Sequence, residues 1–230
     1  MMKEPSLGWR ERAKAFLENR LVITAELLVA VILQTLQATR LISAALIYLF
    51  VIGWLSLWLR RSSWRQLGLS RPTSWLRTIG IGAIIGLVYQ AVSILLVVPF
   101  LRQITHEPLD LSQVASVYNN LPLLMLWLTV TWTLAAFGEE MVYRGYLFNR
   151  VADLLEHSRA GWIVALIGSS ALFGLGHAYQ GITGILETFL FGCVMAGLYL
   201  AGRRNLWLPV VAHGVYDTFA FVLIFLGLYR

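Results

Sequence analysis

Charged residues are scarce in this chain of 230 residues, of which only 13% are Asp, Glu, Lys or Arg and 58% are apolar. A soluble domain needs about a quarter of its residues charged to cover its surface, so this composition excludes an ordinary soluble protein. Cysteine is also scarce, because Cys193 alone is present, and this excludes a disulfide framework. The mean hydropathy of +0.71 instead indicates an integral membrane protein.

Long apolar runs, in contrast, are abundant. A membrane-spanning helix needs roughly 20 mostly apolar residues, and we count seven candidate segments. They are residues 21–39, 41–59, 78–101, 121–148, 160–178, 181–202 and 206–228. Each should be helical, because backbone amides in lipid must be satisfied within their own segment. The sequence therefore predicts an all-α polytopic membrane helix bundle, with residues 1–230 as one domain. The tight turn near Arg40 also allows the first two segments to form one long or re-entrant element.

Basic residues are distributed unevenly among the connections. Most of the 18 Lys and Arg residues lie in alternate connections, beginning with the N-terminal arm. The other connections and the C-terminus hold only Arg40, Arg102 and Arg230. Because basic residues are retained on the cytoplasmic side, this pattern predicts a cytoplasmic N-terminus and a C-terminus on the opposite side. The net charge of +6 is then accounted for by loops beside membrane lipid, and no nucleic-acid partner is expected.

Three short motifs place polar residues inside the apolar runs, where an ionised side chain costs about 2.5–3.5 kcal/mol. The motifs are "EEMVYR", "FGLGH" and "HGVYD". Their polar members are Glu139, Glu140, Arg144, His177, His213 and Asp217. Residues four apart share a helix face, so Arg144 should pair with Glu140 while Glu139 points elsewhere, free to act on a proton. The same spacing should bring His213 next to Asp217.

Each motif also has a purely structural interpretation: an ion pair within one helix, a hydrogen-bonded histidine, or a His–Asp bond that fixes a helix. Three helices that each direct polar groups inward are harder to explain in that way. Glu139 and His177 are equally far from the turn between their helices, so they should lie at similar heights. His213 is about eight residues from a basic turn, roughly 12 Å of helix. If the hairpin protrudes from the membrane, these residues form one site in the cytoplasmic half.

In this order, the three motifs resemble the family of CAAX proteases and bacteriocin-processing enzymes, which are all-helical intramembrane proteases. The resemblance covers residues 121–228 and implies that this segment is the catalytic core, although members of the family often have eight spans. It implies that Glu139 is the general base that activates a water molecule, with His177 holding that water or sharing its proton. Glu140 and Arg144 would orient these groups.

The third motif departs from the CAAX-processing members of that family. The resemblance implies that His213 stabilises the oxyanion together with its partner one helical turn later. The CAAX-processing members look like Asn at the position of Asp217. An asparagine amide can donate a hydrogen bond, whereas Asp217 cannot unless it is protonated. Asp217 would instead fix the tautomer of His213.

A zinc site is an alternative for the same residues. Glu139, His177, His213 and Asp217 are a plausible set of oxygen and nitrogen ligands that leaves one position for water. The His-Glu-x-x-His signature of zinc proteases is absent from the sequence. We therefore favour a glutamate mechanism without a metal or other cofactor.

The expected substrate is a membrane-associated peptide or lipidated protein, cleaved near its C-terminus. A nonproteolytic scaffold or bacteriocin-immunity partner is the alternative, and a small transporter would favour two similar halves, which the sequence does not show. Two further acids in apolar runs, Glu26 and Glu187, should be paired, lumen-facing or snorkelling. The glycines of "TIGIGAIIG" predict a helix-packing face, because no strand precedes them.

Overall fold

The computed structural model describes residues 8–229 as a bundle of helices. The α-helices are α1 (Trp9–Leu17), α2 (Arg20–Ala38), α3 (Ala45–Leu59), α4 (Trp75–Val92), α5 (Val98–Thr105), α6 (Leu121–Val130), α7 (Phe148–Leu154), α8 (Arg159–Gly176), α9 (Gly181–Ala201) and α10 (Trp207–Phe225). Two π-helical segments, Ser93–Val97 and Thr131–Leu147, continue α4 into α5 and α6 into α7. Short 3-10 turns cover Ser112–Val117 and Ala178–Gln180. The start of the predicted N-terminal arm and Arg230 lie outside the described residues.

The helices confirm the predicted polytopic bundle. Six stretches are long and apolar enough to cross a membrane, and α3 is a shorter apolar helix. The six stretches are Arg20–Ala38, Trp75–Thr105, Leu121–Leu154, Arg159–Gly176, Ala178–Ala201 and Trp207–Phe225. The first two predicted segments are separate helices, because α2 ends at Ala38, Arg40 has a left-handed backbone (φ 61°) and α3 begins at Ala45. The side chain of Gln37 accepts a hydrogen bond from the amide of Ala45 at 2.6 Å.

The connections group at two ends of the bundle, as the alternation of basic residues predicts. One end, which we call the arginine-rich end, contains α1, the start of α2 and residues 60–74, 155–158 and 202–206. There the amide of Leu206 donates to the carbonyl of Gly68 at 3.0 Å, and Arg20 pairs with Glu156. The opposite, arginine-poor end contains residues 39–44, 106–120, 177–180 and 226–229. There the amide of Asp110 donates to the carbonyl of Gln180 at 3.1 Å, and that of Asn119 to Phe225 at 3.0 Å.

Two glycines of α4 allow a close crossing with α10, and they confirm the predicted packing face. A Cβ atom added at Gly82 would lie 2.8 Å from the side chain of Val211. One added at Gly86 would lie 2.4 Å from the backbone oxygen of Ala212. Gly80 takes no part in this face, since nothing lies within 4 Å of its added Cβ. This crossing therefore fixes the position of the part of α10 that carries the third motif.

This geometry predicts opposite effects for two otherwise identical substitutions. Gly86→Ala should destabilise the bundle by about 1–3 kcal/mol, because a methyl group cannot fit against a backbone oxygen without moving a helix. Gly80→Ala should stabilise it slightly or leave it unchanged, because alanine is the better helix former by about 1 kcal/mol and the site is open. Thermal unfolding of the detergent-solubilised variants measures both. Equal unfolding temperatures would contradict the close crossing.

Candidate active site

The first motif lies in the long π-helical segment Thr131–Leu147. A π-helix closes i→i+5 hydrogen bonds, is usually a single turn and is frequent at functional sites. At the end of this one the amide of Phe148 bonds to the carbonyl of Tyr143. The sequence predicted an ordinary α-helix here. The adjacent glutamates nevertheless diverge as expected: Glu140 is fully buried, whereas Glu139 lines a cavity.

Arg144 is buried with Glu140 and joins the π-helical segment to α9. Its Nη1 donates to Glu140 Oε1 at 2.9 Å, which is the ion pair that the spacing predicts. Its Nη2 donates to the backbone carbonyl of Gly192 in α9 at 3.1 Å. The ring of Phe173 in α8 lies 4.7 Å from the guanidinium carbon, within cation–π range. One arginine thus contacts three helical segments of the bundle.

His213 in α10 lies between three carboxyl groups. Its Nδ1 is 2.8 Å from Glu140 Oε1, so Glu140 is shared between His213 and Arg144. Its Nε2 is 3.4 Å from Asp217 Oδ2 and 3.8 Å from Glu139 Oε2. The proximity of His213 to Asp217 follows from the sequence spacing, whereas the bond to Glu140 was not predicted. With carboxyl oxygens near both ring nitrogens, an imidazolium can donate on both sides.

His177 directly follows the last residue of α8. Its Nδ1 lies 2.9 Å from the carbonyl oxygen of Phe173, which can only accept, so Nδ1 carries the proton. In the neutral imidazole, Nε2 is then the nitrogen available to a water or substrate. Among the described residues no ion pair joins His177 to a carboxylate. It meets Glu139 only by lining the same cavity.

A cavity of about 280 Å³ brings the motifs together. Four of the six predicted site residues line it: Glu139, His177, His213 and Asp217. Glu140 and Arg144 are fully buried and lie outside its lining. The remaining walls are largely apolar, and they include Trp127 of α6 and Phe221 of α10. Asp110 and Tyr179, from connections at the arginine-poor end, complete the lining on that side.

Of the two other intramembrane acids, one is paired and the other belongs to this cavity. Glu26 pairs with Arg60 at 2.8 Å, which agrees with the predicted pairing. Glu187 of α9 lines the cavity and accepts hydrogen bonds from Ser93 at 2.7 Å and from Tyr216 at 2.9 Å. A lone acid in an apolar run has no neighbour at helical spacing to mark it, so the sequence did not place Glu187 at the site.

The zinc alternative is poorly matched by these positions. Among residues 8–229, no group of three or more His, Cys, Asp or Glu side chains is arranged to hold a metal ion. We therefore derive no reaction step through zinc.

The fold and the cavity define a class of protein: a polytopic helical membrane protein with carboxylates and histidines around a buried cavity. Residues 121–219 match a family model described as type II CAAX prenyl endopeptidase Rce1-like. The match begins at α6 and includes all three motifs. It confirms the resemblance of this part of the chain to the family of CAAX proteases and bacteriocin-processing enzymes. No curated protein and no solved structure matches the chain.

Proposed function

We propose that this protein is an intramembrane endopeptidase that uses a glutamate-activated water to cleave a membrane-associated peptide or protein near its C-terminus. The observation that carries the proposal is that Glu139 and His177 face the same cavity while Glu140, Arg144 and His213 are bonded to one another beside it. A glutamate that lines the cavity beside a histidine is suitably placed to act as a general base on a water molecule.

The proposed reaction proceeds by addition of water to the scissile carbonyl. Glu139 removes a proton from the water, which His177 positions through Nε2, and the hydroxide forms the new bond to the carbonyl carbon. His213, as the imidazolium, donates from Nε2 to the oxyanion. The C–N bond then breaks, and Glu139 returns its proton to the leaving nitrogen. The products are a new carboxyl group and a new amine, so no cofactor is consumed.

Asp217 is given a supporting role in this scheme. Its Oδ2 lies 3.4 Å from His213 Nε2, closer than any oxygen of Glu139. Because a carboxylate only accepts, Asp217 would keep the proton on Nε2 and orient the ring, rather than donate to the oxyanion itself. This role replaces the amide donor that an asparagine would supply at the same position.

The test is cleavage of lipidated and unlipidated peptides by the purified, detergent-solubilised protein. We expect hydrolysis that His177→Ala lowers by about a hundredfold, since a positioned acid–base partner contributes 10²–10⁴-fold. We also expect it to be insensitive to phenanthroline. Loss of cleavage with the chelator, restored by added zinc, would replace the glutamate mechanism by a metal one. No cleavage of any peptide by the folded protein would favour a nonproteolytic scaffold or immunity partner.

The substrate should reach the cavity from the arginine-poor end. The sequence predicts a site in the cytoplasmic half, but the lining includes Asp110, Gln113 and Tyr179 from connections at the arginine-poor end. If the arginine-rich end is cytoplasmic, as the positive-inside rule indicates, the substrate enters from the opposite side. Cleavage of a membrane-impermeant peptide by protein reconstituted in a known orientation decides the side, and cleavage only from the arginine-rich end would refute this access route.

A further inference from the structure

Glu187 lines the cavity from α9. It is buried, and one of its oxygens, Oε1, accepts hydrogen bonds from both Ser93 and Tyr216. Two hydroxyl donors on one oxygen stabilise the charged form, because only the charged form is purely an acceptor. Ser93 begins the π-helical segment Ser93–Val97, and Pro99 follows it in α5. The wider i→i+5 geometry, in which the amide of Val98 donates to the carbonyl of Ser93, therefore lies where this helix bonds to Glu187.

Glu187 nevertheless lacks a cation. Two other glutamates within the bundle each have an arginine: Glu26 pairs with Arg60 at 2.8 Å and Glu140 with Arg144 at 2.9 Å. The ion pairs found among residues 8–229 include none to Glu187. A buried charge without a partner is unfavourable unless another group compensates it. Such an acid can instead keep its proton, so Glu187 would need a cation from outside the described part of the chain only when it is ionised.

The cavity itself offers no compensating group. Its lining includes four acids, Asp110, Glu139, Glu187 and Asp217, and within the described part of the chain no Lys or Arg lines it. The two histidines of the lining, His177 and His213, belong to the proposed reaction centre. The cavity is thus complementary to a ligand that brings positive charge, and Glu187 is the buried acid in it that forms no ion pair with a histidine or an arginine.

Resting on the proposed peptidase function, we propose that Glu187 binds a basic side chain of the substrate. The cavity then selects a peptide with lysine or arginine near the scissile bond and rejects acidic residues at the same position. Leaving one partner of a buried charge pair without the other weakens binding strongly in known interfaces. We therefore expect a preference of at least tenfold for the basic peptide.

The experiment is a scan in which Lys, Gln or Glu occupies each position on either side of the scissile bond of a cleaved peptide. The wild-type protein should show one position where the Lys peptide has at least ten times the kcat/KM of the Glu peptide. Glu187→Gln keeps the size and hydrogen bonds of the side chain and should lower that ratio about tenfold, mainly through KM. Glu187→Asp, which retains the charge, should preserve the sign of the preference.

A binding measurement and a control variant test the charge preference independently of whether the protein cleaves peptides. Binding of the same peptides to Glu139→Gln, with and without Glu187→Gln, reports the charge preference even if no peptide is cleaved. Glu18→Gln removes an exposed acid from the end of α1 and should leave the ratio unchanged. A wild-type preference for acidic peptides, or a Lys-to-Glu ratio that survives Glu187→Gln in both cleavage and binding, would overturn the assignment.

Discussion

Glu139→Gln is expected to lower kcat/KM for peptide cleavage by about a thousandfold while leaving the unfolding temperature near that of the wild type. General-base catalysis contributes 10²–10⁴-fold, and glutamine retains the shape of the side chain without its basicity. The stability should survive because Glu139 is only loosely held. Its side chain is 17% exposed, and its nearest ionic partner, His213 Nε2, is 3.8 Å away.

Single-turnover cleavage of the best peptide measures this loss without interference from product release. Glu18→Gln is the matched control, because it makes the same chemical change at an exposed position far along the chain. If Glu139→Gln retained more than a tenth of the wild-type rate, another group would have to activate the water. His177 would then be the first candidate, because its Nε2 is unprotonated in the tautomer that its bond to Phe173 selects.

The helices could be predicted from the sequence because the membrane imposes a simple rule on length and composition. The turn at Arg40 and the ends of α4 and α5 differ from prediction by only a few residues. Pairs within one helix could also be predicted, because spacing alone decides them: Glu140 with Arg144, and His213 with Asp217.

Contacts between helices were the part that spacing could not supply. The bond between Glu140 and His213 depends on how α10 is rotated against the π-helical segment, and no pattern within either helix encodes that rotation. The π-helical geometry itself has no signature in the apolar run that contains it. Glu187 was missed for the same reason, since Ser93 and Tyr216, its partners, lie on two other helices.

Arg144→Ala is expected to destabilise the protein by about 3–5 kcal/mol, the cost of removing one partner from a buried ion pair. The loss should be large because Glu140 would keep only His213 as a charged partner and the carbonyl of Gly192 would lose its donor. Arg144→Lys should recover part of this stability at most, because one ammonium group cannot reproduce the planar fork that reaches both acceptors. Thermal unfolding in detergent, with Arg159→Ala at an exposed position as control, measures the differences.

Comparing Arg144→Ala with Glu139→Gln distinguishes a residue that stabilises the fold from a residue that takes part in the reaction. Arg144→Ala should lower stability first and activity as a consequence, so cleavage should recover on cooling, whereas Glu139→Gln should remain inactive at every temperature. A double substitution, Glu140→Gln with Arg144→Met, should cost less than the sum of its parts, because neither change then leaves a buried charge alone. If Arg144→Ala unfolded at the same temperature as Arg159→Ala, the buried pair would contribute little to stability, and its role would lie in orienting His213 instead.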